Sequence, residues 1–447
     1  MVLLAAGILL ASGPVKTALF MAFALVGVGV AAAVWPELLA MAFLFAGRYS
    51  YEARLAPFDA PLSLNQFMLV GLAGVALVNA RYLVRALRRW SILCLLLLGV
   101  ALVLGLGWSH GLNYGVYKVA RTWLVVIPGI LIAATVVERR RSLAPLILAV
   151  FVVGFALNSV ALLTFDESME GRRLSGLGSG PITFARAVGL SLIIGLLSVV
   201  WYVQRARETW GRVMLGVSLI AVASLLPGFV LAQSRGPAIA VFVAIAVVLT
   251  LSLYGNWRVV IAALGLGGVL VWSSTRILQA TFDSTRFDLT SNSNQVSVDA
   301  RVTFIWESLD LVTAHPLLGV GTGGWPVELY GIDDRLYPHN FLFEIASENG
   351  LPVAAMVVAL FALVTVKALA AWFRSPDPQG RFVVVGCLAS LAFFLVNVSA
   401  TGDSVDNRLL WVTLVALEYS AVLAGEAVRV RVVRRRALGT APTLPAH

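Results

Sequence analysis

Stretches of about twenty apolar residues recur through this chain, and short arginine-bearing loops separate them. A run of roughly 17–25 apolar residues is long enough to cross a bilayer as a helix. Runs of this kind occupy Leu64–Ala80, Trp90–Leu106, Val116–Val137, Leu143–Thr164, Ile182–Val203, Val213–Ala232, Pro237–Tyr254, Val259–Ser274, Leu351–Phe373, Phe382–Ala400 and Leu409–Ala427. Three less regular runs, Met1–Ser12, Thr17–Val34 and Pro36–Ala46, precede them. The expectation is an all-α polytopic membrane protein with roughly 12 to 14 transmembrane helices. Composition agrees: 13% of the 447 residues are charged, about half the share of a soluble domain. Met1–Ser12 has no basic leader, so no removable signal peptide is expected. Cys94 and Cys387 both fall inside apolar runs and read as small core residues.

The arginines set the orientation. Arg81, Arg85, Arg88 and Arg89, then Arg139–Arg141, then Arg205, Arg207 and Arg212, then Arg374 and Arg381, lie in alternate loops. The other loops are richer in acids, such as Asp166, Glu167, Asp333 and Asp403. The positive-inside bias puts the arginine-rich set in the cytoplasm. It also accounts for the net charge of +10 without invoking nucleic acid. Three parts result: an N-terminal transmembrane bundle (1–274), one large outer loop (275–350), and C-terminal helices with a basic cytoplasmic tail (351–447).

The outer loop holds the densest polar chemistry. Pro338, Glu344, Glu348 and Asn349-Gly350 predict a helix over 338–350, with His339 in its first turn. The positive end of that helix favours neutral imidazole, which can serve as a general base. Arg235, in Gln233-Ser234-Arg235-Gly236-Pro237, opens a span on the outer side. An arginine there runs against the positive-inside bias, which points to anion binding over mere snorkelling to headgroups. Asp299 can cap a helix to about Thr313, with Val302, Ile305, Trp306 and Leu309 on a membrane-facing side. Arg301 at its start is either a phosphate ligand or a solvated charge. Arg186 enters a span behind the glycine-rich Arg173–Pro181 segment. Lys118 and Arg121 share a helix face, where ligand binding and snorkelling explain them equally. Gly319–Gly324 follows no strand, which rejects a dinucleotide fingerprint and leaves a tight turn or an anion nest. His315 and His339 lack metal-ligand spacing, and the Asp333-Asp334 pair is a weak cation candidate.

These pieces together resemble the O-antigen ligase/polymerase superfamily of bacterial membrane glycosyltransferases. The resemblance rests on Arg173-Leu-Ser-Gly176, Ser234-Arg235-Gly236, Arg301 with Trp306, Pro316-Leu-Leu-Gly-Val-Gly321, His339-Asn340 and Glu348-Asn-Gly350-Leu351. It implies a GT-C-like helical fold in the bacterial inner membrane and transfer of a glycan from an undecaprenyl-diphosphate carrier to a hydroxyl acceptor on the periplasmic side. It implies no metal and no cofactor beyond the lipid carrier. Arg235 and Arg301 would hold the diphosphate, with Arg186 as a further ligand, and His339 would deprotonate or orient the acceptor. A ligase, with lipid A-core as acceptor, and a polymerase, with a growing glycan, both fit; the ligase is the leading reading. A transporter would need ionisable residues at mid-membrane, and most span interiors carry none.

Overall fold

The computed structural model describes residues 28–46, 64–165, 169–170, 173–176, 180–252, 292–375, 377–400, 403 and 407–437. Its helices are α1 (Pro36–Ala46), α2 (Leu64–Val78), α3 (Ala80–Ala86), α4 (Trp90–Gly105), α5 (Leu112–Arg121), α6 (Ile127–Arg140), α7 (Ala144–Leu163), α8 (Pro181–Val203), α9 (Thr209–Leu231) and α10 (Arg235–Ser252). They continue with α11 (Asn292–Ala314), α12 (Trp325–Tyr330), α13 (Phe341–Arg374), α14 (Pro378–Val398) and α15 (Arg408–Ala437). A π-helical turn, Thr122–Val126, joins α5 to α6 in one span. Two short antiparallel strands, β1 (Met169–Glu170) and β2 (Arg173–Leu174), pair before α8.

Among the described residues, eight helices are long and apolar enough to cross a membrane, and a ninth span forms if α2 and α3 count as one bent pair. Two shorter apolar helices cover 36–45 and 90–105. The expected runs Met1–Ser12 and Val259–Ser274, and most of Thr17–Val34, lie outside the described residues, as do the loop 275–291 and the tail 438–447. The multi-pass helical architecture is therefore as expected. A helix satisfies its own backbone hydrogen bonds, which is why hydrocarbon selects it. The outward faces stay apolar: Val78, Leu163 and Ile220 are more than 70% exposed, as lipid-facing residues are. Inside, α8 packs on α7 and α9, α10 lies along α14, and α13, α14 and α15 pack on one another.

Three breaks shape the bundle. The α2–α3 pair bends by 93° at Asn79, where the Asn79 amide donates to the Val75 carbonyl at 2.7 Å and accepts from Arg139. The second break is the π turn. The third is in α13, at Gly350 (φ 81°). A side chain at Gly350 would run into the Leu317 carbonyl, so only glycine fits this left-handed turn. The predicted C-cap at Asn349-Gly350 is thus a kink, beyond which α13 continues to Arg374. The freed carbonyls on the Glu348 side are taken by the glycine-rich loop: Val320 N–H donates to Ser347 O (2.8 Å) and Gly321 N–H to Glu348 O (2.9 Å). Thr322 N–H reaches Gly105 O (3.2 Å) on α4. These donors are used up by protein carbonyls, which corrects the anion-nest alternative for Gly319–Gly324: the glycines allow backbone to pack against backbone.

Candidate functional site

The end of α14 draws in Arg186 and the residues next to Arg235 and His339. Arg186, in the second turn of α8, is buried and donates to Asn397 O and to Asn407 Oδ1, both at 3.1 Å. Gly236, beside Arg235 in the first turn of α10, lies against the same corner: a Cβ there would sit 3.9 Å from Asn397 Oδ1 and from Ala400 Cβ. Asn340 donates to Ser399 O at 3.2 Å, which ties the start of α13 to the same turn. Three segments far apart in sequence therefore converge on residues 397–400.

His339 precedes the helix it was expected to begin. Asn340 is the N-cap of α13, its Oδ1 accepting from the N–H groups of Leu342 and Phe343. His339 stands one residue earlier in left-handed backbone (φ 57°). Its ring stacks on Phe304 of α11 with centroids 6.1 Å apart, and meets Tyr337 at 4.6 Å. Nδ1 is buried with no hydrogen-bond partner among the described residues. The imidazole is held neutral, its pKa lowered to about 4, first by burial and then by the positive charges of Arg301 and Arg186. Those two arginines, 115 positions apart in sequence by their numbers, thus act on one ring. Gln233, two residues before Arg235, also has positive φ (45°), as does one further non-glycine residue among the described ones, Arg141 at the end of α6. Strained backbone of this kind gathers at functional sites.

Arg301 and Phe304 share a face of α11, a helix that starts at Asn292, earlier than the predicted Asp299 cap. On the opposite side, only part of the predicted apolar stripe is exposed. Val302 and Trp306 are exposed, whereas Ile305 and Leu309 are half-buried and Ser308 and Leu311 pack inward. Trp325 of α12 is fully buried against this inner face and donates to Ser308 Oγ at 2.9 Å.

Several site residues were not singled out from sequence. Asp403, counted there only as an outer acid, is buried and accepts from Tyr114 Oη (3.1 Å) and Arg335 Nε (3.2 Å). Asn407 bridges Asp403 to Arg186, its Nδ2 donating to Asp403 O at 2.8 Å. Arg408 is also buried, donating to Leu44 O at 2.9 Å. Beside them opens a cleft whose polar wall is Thr183, Arg186, Asn407 and Arg408 and whose apolar wall includes Leu44 and Phe394. Asparagine and a lone aspartate carry no spacing signal, so only the fold could reveal them.

Lys118 is neither snorkelling nor exposed to a ligand. It is fully buried between Glu344 (2.7 Å) and Glu348 (2.6 Å), with its ammonium 4.5 Å from the Tyr114 ring centroid. Arg121 instead packs over Tyr117 and bonds its hydroxyl. Asp333 caps α5, accepting from Asn113 N–H (2.9 Å) and Tyr114 N–H (3.1 Å), and Asp334 accepts from Arg335 N–H (2.6 Å). No group of three metal-ligating side chains occurs among the described residues.

Residues 220–358 match the family model described as O-antigen ligase. No curated protein matches the chain. The matched segment runs from α9 into α13 and includes Arg235, Arg301 and His339; Arg186 lies outside it. That match, made within a multi-pass helical bundle, supports the O-antigen ligase/polymerase superfamily for the segment 220–358.

Proposed function

We propose that the protein is a metal-independent, inverting glycosyltransferase that moves a glycan from an undecaprenyl-diphosphate carrier to a hydroxyl acceptor, at the outer face of a bacterial inner membrane. The observation that supports this reading most is the gathering of His339 with Arg186 and Arg301, beside the corner where α10 and its Arg235 begin. A diphosphate leaving group needs fixed positive charge, and guanidinium groups bind phosphate oxygens two at a time. The small cleft of Thr183, Arg186, Asn407 and Arg408 lies next to this corner.

The anomeric carbon of such a donor is already activated, so the protein's task is positioning and proton removal. The acceptor oxygen forms a new bond to that carbon while the bond to the diphosphate oxygen breaks. The hydroxyl proton passes to His339, and the arginines take up the charge left on the diphosphate. In the empty site the arginines weaken His339 as a base. A bound diphosphate offsets their field and raises its proton affinity, while burial still holds it down, so the base strengthens when the donor is in place. Arg235 and Arg301 are assigned to the diphosphate, and Arg186 to both the diphosphate and the α14 corner. The division into an N-terminal bundle, a catalytic outer loop and a C-terminal bundle follows the same reading, with α8 and α10 contributing to the site from the first part.

Attachment of finished polysaccharide to lipid A-core is the favoured reaction, supported by the O-antigen ligase description of the matched family. The test separates undecaprenyl-linked from lipid A-core-linked glycan in cells without the gene. Long polymer stranded on the carrier, with bare lipid A-core, is the expected outcome. Single repeat units with no long chains would make it a polymerase, and unchanged pools would refute transfer altogether.

A further inference from the structure

The end of the bundle away from His339 carries a second cationic cleft. It opens where α4 starts and α13 ends, and its lining includes Arg88, Trp90, Lys367, Arg374 and Glu418. From Gly350 to Arg374, α13 rises roughly 35 Å, about a bilayer's hydrocarbon thickness. The cleft is therefore at the opposite membrane face from the site above.

Its charges do not balance. Glu418 is consumed at the N-terminus of α4, accepting from the N–H groups of Trp90 (3.1 Å) and Ser91 (3.0 Å) and from Ser91 Oγ. The neighbouring Arg89 is bound to Glu138 and lies over the Tyr419 ring at 4.7 Å. Arg88, Lys367 and Arg374 are exposed, and none has an ion pair among the described residues. Lys367 and Arg374 are two turns apart on one face of α13. The ammonium of Lys367 stands 5.7 Å from the Trp90 ring centroid. Trp90 is 55% exposed, placed as an interfacial tryptophan is. Val366 and Phe373, each 63% exposed, continue the lipid-facing surface of α13 beside the cleft.

Three cations converge on a cleft of about 560 Å³ whose apolar lining includes Val364 and Val422, next to the exposed Val366 and Phe373. We infer that this cleft binds the phosphate headgroup of an anionic phospholipid, with Arg88, Lys367 and Arg374 on the phosphate, Trp90 at the glycerol level and the acyl chains along Val366 and Phe373. A headgroup site between transmembrane helices needs this combination of basic side chains and adjoining apolar surface. A soluble phosphate would have no use for the flank.

The test follows the thermal unfolding midpoint of the purified full chain in neutral detergent against added phosphatidylglycerol, phosphatidylcholine or inorganic phosphate. A ligand of the native state raises that midpoint in a saturable way. The expected result is a saturable rise with phosphatidylglycerol, and none with phosphatidylcholine or with millimolar inorganic phosphate. The triple variant Arg88→Ala, Lys367→Ala, Arg374→Ala should need roughly 100-fold more phosphatidylglycerol for the same rise. The charge-conserving variant Arg88→Lys, Lys367→Arg, Arg374→Lys should respond as the native protein does, which separates lost charge from damaged folding. Equal rises with both phospholipids, or an unaltered response in the alanine variant, would overturn the inference. A rise with inorganic phosphate alone would overturn the lipid assignment in favour of a soluble anion.

Discussion

Two clusters of charge sit beneath the start of α13, and they are built in opposite ways. Around Lys118, the ammonium lies between two carboxylates, all three side chains within 1% of complete burial. Around His339, arginine charges press on an imidazole that cannot easily gain a proton. The first cluster is internally matched and closed, with Glu344 further favoured by the helix N-terminus. The second sets two arginine charges near an imidazole nitrogen that has no hydrogen-bond partner among the described residues. A matched cluster holds elements together, whereas charges of one sign gathered around a neutral ring suit a ligand of the other. The closed cluster holds the first two turns of α13 and His339 directly precedes them, so the closed one fixes the platform from which the open one works.

Substitutions can break this contrast. The largest effect is expected from His339→Ala, which should cut transfer by roughly 10²–10⁴-fold if the imidazole is the base. Membrane insertion and thermal stability should stay unchanged. Arg235→Ala and Arg301→Ala should do the same through the donor. A native glycan profile from these variants would remove the open cluster from the chemistry.

Lys118→Met should act on folding instead. It leaves two buried carboxylates without their counter-charge, a loss of about 3–5 kcal/mol. The measurement is the unfolding midpoint in detergent, with transfer scored per folded molecule. A variant of native stability that cannot transfer would move Lys118 from the scaffold into the site.

Gly350→Ala comes next, at about 1–3 kcal/mol for a non-glycine residue forced into this conformation. The added methyl meets the Leu317 carbonyl, so α13 must shift at its kink. His339, eleven residues before Gly350, would shift with it, and activity should fall further than stability.

How far the sequence foretold this depends on the kind of signal. Hydrophobic run length gave the spans from α5 to α15 because lipid demands long apolar helices, whatever they pack against. Arg235 stood out because a charge at that depth needs a reason. His339 was found, but its helix was expected to begin at Pro338; it begins at Phe341 with Asn340 as cap, and left-handed backbone at a histidine has no pattern to betray it. Lys118 and Glu348 are 230 positions apart, and neither periodicity nor composition joins residues across such a gap. Asp403 and Asn407 were invisible for the same reason, since a buried partner looks like a loop residue until the loop is placed.

The subtlest prediction concerns pH and sharpens the contrast most. In the free protein His339 has its pKa lowered to about 4 from 6.5. The unfolded chain then binds more protons than the folded one between those values, so this group's contribution to stability declines as pH falls through that window. The imidazole is already a free base at pH 6, and kcat/KM, which reports the free enzyme, should lose little through His339 until pH approaches about 4. With donor bound, the diphosphate offsets Arg301 and Arg186, so the acid limb of kcat should move upward, toward the ordinary imidazole value of 6.5. A doubly esterified diphosphate keeps its charge across this range, so it adds no limb of its own. Coincident limbs for kcat and kcat/KM would mean that the arginines and the imidazole do not sense the same ligand, and the open cluster would have to be divided into two.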